Sequence, residues 1–113
     1  MSEEAIERRL SELRETAKKY AVAFATKEHL DEFKKSKLAI LMKQAEREGF
    51  ATSAAQEREA RAHPDYLALL DGLRASTEQA ESLRWELKIA EIGAEVWRSK
   101  EATRRMERKG YGA

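Results

Sequence analysis

Apolar residues recur along this chain at helical spacing. Ile6, Leu10, Leu13, Ala17, Tyr20 and Phe24 follow 4-3-4-3-4 steps, nearly three heptads. That spacing lays one apolar stripe along a helix. Ser2 is a suitable N-cap, with Glu3 and Glu4 placed where the helix dipole favours negative charge. The next heptad position is Lys27, and the stripe resumes in a shifted register with Leu30, Phe33, Leu38, Leu41 and Ala45. Such a shift is either a stutter in one helix or a break capped by Thr26. The expected form is one continuous helix, kinked or re-registered at 26–29. Gly49 ends it in the left-handed C′ position, with Phe50 folding back on the last turn.

Ser53-Ala54-Ala55-Gln56 matches a capping box and predicts a short second helix, polar apart from its alanines and a poor core element. His63-Pro64 stops it, and Pro64 is well placed as the first residue of a third helix. From there Leu69, Leu73, Ser76, Ala80, Leu83, Leu87, Ala90, Ala94 and Trp97 keep a strict heptad. The third helix should run about 45 residues, on the order of 65 Å. It carries a second stripe as well: Trp85, Ile89, Ile92 and Val96 repeat the spacing on another side. An amphipathic helix packed on one neighbour needs one stripe, so two stripes call for two neighbours.

The expected fold is all-α. It is a single helical domain over 1–113 with helices at about 3–48, 53–62 and 64–109, arranged as a long antiparallel hairpin or coiled coil with a short connecting helix. A lone hairpin leaves the Trp85/Ile89/Ile92/Val96 face in water, a patch soluble proteins rarely leave bare. Either the first helix folds back at 26–29 to cover it, or a second subunit does. The second subunit is favoured, giving a homo-oligomeric bundle with those four residues at the interface. Ala90, Gly93 and Ala94 add small residues for close helix approach.

The composition agrees with this reading. Charged residues make up 38% and hydrophobic residues 42% of 113, with one proline, as in long helices. The net charge of +1 favours no partner class, so only the distribution of charge is informative. There is no cysteine, which excludes disulfides and thiolate chemistry. The opening SEEAIERRL lacks an apolar core, so no secretory signal is expected. No run approaches a membrane span, and a cytoplasmic protein without membrane contact is expected.

Catalytic chemistry has little support. His29 and His63 lack the Glu-x-x-His spacing of metal-binding bundles and read as surface or capping residues. Glu78/Glu81 and Glu28/Asp31 have the spacing used by magnesium-dependent helical nucleotide pyrophosphatases, but they stand far apart without further acids around them. Nucleophilic triads and phosphate-cradling glycine loops are missing. No enzyme activity, metal or cofactor is expected.

Two basic clusters are the candidates for binding nucleic acid or an acidic partner. Lys34, Lys35, Lys37 and Lys43 form the first, with no acid between 33 and 45. Arg98, Lys100, Arg104, Arg105, Arg108 and Lys109 form the second, offset by Glu101 and Glu107. Both suit phosphate-backbone contact, which oligomerisation would multiply, and both also suit a solvated helix face. In a hairpin the second cluster comes near the start of the first helix, where it would meet Glu3, Glu4 and Glu7. Trp85 and Trp97 lie within the apolar stripes and read as core or interface anchors before base-stacking residues.

The segments EREARAHPDY and LRWELKIAEIGAEVWRSKEATRR, within residues 55–113, resemble small helical proteins encoded by tailed bacteriophages and prophages. Such proteins stand beside recombination and single-strand annealing genes. The resemblance covers about half the chain and implies a phage accessory factor in DNA recombination or replication, working in the host cytoplasm. It assigns no functional residues. The rival expectation is an anti-defence protein that binds a host immune protein or sequesters a nucleotide signal on the same scaffold.

Overall fold

The Ser2 hydroxyl accepts a hydrogen bond from the Ala5 N–H at 3.1 Å, satisfying one of the free donors at the start of a helix. Helix α1 then runs from Glu3 to Arg47. The computed structural model describes residues 2–111 and keeps α1 helical throughout 26–29. Two further helices follow, α2 (Ser53–Ala62) and α3 (Pro64–Tyr111). The chain is therefore all-α among the described residues, with α1 and α3 forming the main contact as a hairpin.

No register shift occurs at 26–29 in α1. From Leu13 to Leu41 its buried and half-buried positions Leu13, Thr16, Tyr20, Ala23, Lys27, Leu30, Lys34, Lys37 and Leu41 keep one heptad frame, and near the closed end Leu38, Met42 and Ala45 depart from it by one residue. The expected stutter came from reading Lys27 as a gap. Lysine can hold a seam position because its four-carbon stem covers apolar surface while the ammonium reaches water. The Lys27 ammonium lies 5.6 Å from the Phe24 ring centroid and 3.9 Å from the Glu28 carboxylate. Ile6, Leu10, Phe24 and Phe33, which the apolar pattern placed on the stripe, are instead exposed.

The link between α1 and α2 is a Schellman turn. Gly49 takes φ +106°, Gly49 N–H donates to the Glu46 carbonyl, and Phe50 N–H donates to the Ala45 carbonyl at 3.1 Å. The cap of α2 is Thr52, one residue earlier than the capping-box pattern implied; its hydroxyl accepts from the Ala55 N–H. With the start moved, Gln56 is not at the box position, and its amide instead donates to the Phe50 carbonyl at 2.9 Å. His63 is extended (ψ 135°), as a residue before proline should be. Its Nδ1 accepts from the Asp65 N–H at 3.0 Å, so it caps α3.

The core lies at this closed end. Leu41, Ala60 and Tyr66 form its buried cluster, with Leu38, Met42 and Leu70 packed against it. Helix α2 thus contributes more than its polar sequence suggested, because Ala60, at 1% exposure, fits where a larger side chain would hold α2 away. Beyond α2 the protein is two helices thick, with Ala23 and Ala80 buried midway along. The molecule measures 89 × 25 × 15 Å with a radius of gyration of 25.0 Å. A compact domain of this length would have roughly 13 Å. It is a rod, and no described helix is long and apolar enough to cross a membrane.

Two predictions follow from the seam and the turn. Lys27→Leu should stabilise the hairpin by about 1 kcal/mol through added apolar burial, read as a higher urea midpoint; a loss of stability would show that Lys27 is not a seam residue. Gly49→Ala should destabilise by about 1 kcal/mol because of its positive φ, whereas Gly93→Ala, with open space around its Cβ, should stabilise by a similar amount. Equal effects of the two in thermal unfolding would contradict the assigned turn.

Candidate interaction surface

The open end of the rod is built from the start of α1 and the second half of α3. Along α3 the stripe Leu69, Leu73, Ser76, Ala80, Leu83, Leu87 and Ala90 is buried or half-buried against α1. Burial then stops, and every residue from Glu91 to Lys100 is exposed. A groove of about 530 Å³ opens between the helices here, lined by Ile6 and Arg9 of α1 and by Ile89, Ala90, Gly93, Ala94 and Trp97 of α3. Ile6 opens the apolar stripe of α1 and Arg9 belongs to no motif; only the hairpin register brings them to this site.

The second stripe stands in solvent on the single chain. Trp85 is 50% exposed, Ile89 64%, Ile92 49% and Val96 48%. At 100° per residue its centre lies about 180° from the centre of the α1-facing stripe. The stripes occupy nearly opposite sides of α3, so α1 cannot cover both. Arg84 packs its guanidinium 5.1 Å from the Trp85 ring centroid while bonding Glu81 at 2.9 Å. That hydrogen bond holds the Glu81 carboxyl below its ordinary value and the Arg84 guanidinium above its own.

The two basic clusters differ in setting. In the first, Lys34 lies 3.5 Å from Asp31, Lys35 3.4 Å from Glu32, and Lys37 3.9 Å from Asp65 at the start of α3. Lys34 and Lys37 are half-buried at the seam, while Lys43 is exposed on the side of α1 turned away from it. These lysines form no single patch, and carboxylates accompany three of them. Nearby acids outside the 33–45 window supply those partners.

The second cluster projects. The groove sets Ile6 level with Gly93 and Trp97, so α1 begins at about the level of residue 100, and the last turns of α3 extend past it. Arg98 and Lys100 therefore lie level with the start of α1, whereas Arg104, Arg105, Arg108 and Lys109 overshoot Glu3, Glu4 and Glu7 instead of lying along them. The length of α3 beyond the hairpin register is the reason. Arg104 bonds Glu101 at 2.7 Å. Arg98, Arg105 and Lys109 follow one another along one side of the helix, with Arg108 beside them and Lys100 and Arg104 further round. A shallow recess of about 240 Å³ is bounded by Trp97, Arg98, Glu101 and Arg105. It places a half-exposed indole beside two guanidinium-bearing residues, an exposure of Trp97 that its position in the α1-facing heptad concealed.

The carboxylate pairs do not converge. Glu78 bonds Arg74 at 2.9 Å, Glu81 bonds Arg84, Glu28 lies near Lys27, and Asp31 near Lys34. Most of these pairs are exposed, spaced three or four residues apart, and contribute little beyond local support of the helix. His29 stacks on Phe33 with ring centroids 6.0 Å apart. No family model matches the chain, and no curated protein or solved structure compared with it matches either.

Proposed function

We propose that this chain is a non-enzymatic helical interaction protein that assembles with copies of itself through the Trp85/Ile89/Ile92/Val96 face. In this reading it holds nucleic acid with the basic end of α3, as an accessory factor in DNA recombination or replication. The recombination setting and the phage origin are what the resemblance of residues 55–113 suggests. The binding mode is supported by one observation above all: the Arg104–Lys109 end projects past α1, with Trp97 half-exposed beside Arg98 and Arg105 at its base. Guanidinium groups neutralise phosphates, and an accessible indole offers a stacking surface for any base. Single strands suit such a surface because their bases are free to stack. The Lys34–Lys43 run would be secondary, since three of its ammonium groups stand near carboxylates.

Assembly rests on the bare apolar face. Placing a charge in a buried contact costs several kcal/mol, roughly enough to break a contact of this size. Ile89→Glu combined with Ile92→Glu should therefore reduce the light-scattering mass to that of one chain and leave helical circular dichroism intact. A wild-type protein that is already monomeric would remove this part of the reading.

Binding is tested with a short labelled single strand at two salt concentrations. If the tail neutralises four phosphates, affinity should fall about fifty-fold between 50 and 200 mM salt. Arg105→Glu with Arg108→Glu should abolish most of the low-salt binding, while changes at Lys35 and Lys43 should matter little. A protein that ignores the strand at both salts sinks the nucleic-acid reading and leaves a host protein or a small nucleotide as the partner to seek.

A further inference from the structure

The outer face of α3 has an order that the assembly reading does not require. Ser82, Trp85, Ile89, Ile92, Val96 and Ser99 follow 3-4-3-4-3 spacing, which is symmetric about the point between Ala90 and Glu91. All six are exposed on the single chain, and α1 lies on nearly the opposite side of the helix. We infer that this face pairs with a second copy of itself as an antiparallel two-fold α3–α3 contact centred between Ala90 and Glu91. This inference rests on the proposed self-assembly and specifies its geometry. Ile89 then packs on the partner's Ile92, Trp85 on the partner's Val96, and Ser82 meets the partner's Ser99. The four hairpin helices lie in a row, with the two α3 helices inside and the two α1 helices outside.

Charge selects this orientation over the parallel one. In an antiparallel pair the flanking positions on one side of the seam face their equivalents across the two-fold axis. Lys88 there faces the partner's Glu95, and the symmetry supplies that attraction twice. On the other side Glu86 faces the partner's Gly93, so no like charges oppose each other within the apolar stretch. A parallel pair would instead set Glu81 against the partner's Glu86, cancelling the attraction of Glu95 for the partner's Lys100. It would also bring the two Arg98–Lys109 ends together. Further out in the antiparallel pair Glu78 meets the partner's Thr103, and Arg74 comes near the partner's Lys109. The helices are expected to diverge there. Arg105 and Arg108 point away from the seam, so the contact leaves both basic ends open, one at each end of the assembly.

The chain has no cysteine, which makes disulfide trapping a clean test. Ser82→Cys and Ser99→Cys are small changes at exposed positions and should not disturb the hairpin. Co-expressed, the two variants should give a covalent heterodimer on oxidation. Either variant alone should stay uncrosslinked, because its own copies stand about 25 Å apart across the axis. Crosslinking by Ser99→Cys alone would mean a parallel pair and overturn the inference. So would an oligomer, by light scattering, that gives no mixed disulfide; that outcome spares the assembly reading. A monomeric wild-type protein would overturn both. As an independent check, Lys88→Glu and Glu95→Lys should each weaken dimerisation several-fold, and the double exchange should restore it. Failure of that restoration would count against the register even if some dimer remained.

Discussion

A helix in a two-helix layer has one neighbour and so buries one face. This limit governs the whole molecule. α1 accepts it, turning one face toward α3 and leaving the rest of its surface to water. α3 does not, because it carries apolar residues on nearly opposite sides, and the described residues hold no third long helix to place against the second. Only at the closed end does a third element, α2, thicken the layer enough for side chains of the size of Leu41 and Tyr66 to be buried. Everywhere else the deepest residues are alanines, whose small size lets the helices approach.

The distribution of charge follows from the same limit. With so much surface and so little core, most carboxylates and cations sit on exposed helical faces, and those that pair do so mainly with residues three or four positions away. Such pairs support the helices locally and say little about partners. What separates the C-terminal cluster from the others is position. It lies where α3 has outrun α1, so that side chains which elsewhere would border a seam have solvent on every side.

The helices were legible in the sequence because their limits are set by short-range chemistry: Ser2, Gly49 and the His63-Pro64 step act through bonds a few residues long. The cap of α2 was missed by one residue because Thr52 and Ser53 are chemically equivalent caps, and only backbone geometry separates them. The seam of α1 was half legible. Counting apolar residues found Leu13, Tyr20, Leu30 and Leu41 but passed over Lys27 and Lys34, whose stems pack although their ends are charged. Phe24 was assigned to the stripe for the opposite reason, being large and apolar yet turned outward. The bare second stripe of α3 was visible from spacing alone. The groove with Ile6 and Arg9, the overshoot of the basic end and the exposure of Trp97 all depend on how far one helix slides along the other. Periodicity does not encode that offset.

The crowding of three helices at one end also gives the rod a direction. Contacts near Gly49 and His63 join residues close in sequence, whereas those joining Ile6 to Gly93 close a loop of most of the chain. Loop-closure entropy therefore rises steadily from the closed end to the open one, while the buried volume that offsets it declines. The hairpin behaves as a zipper with its clasp at Leu41, Ala60 and Tyr66 and its loosest teeth at the start of α1. Local opening should begin there and spread inward, so the first turns of α1 should separate from α3 before the clasp yields. A contact made by the outer face of α3 near that loose end would do more than hide apolar surface: it would hold the zipper shut.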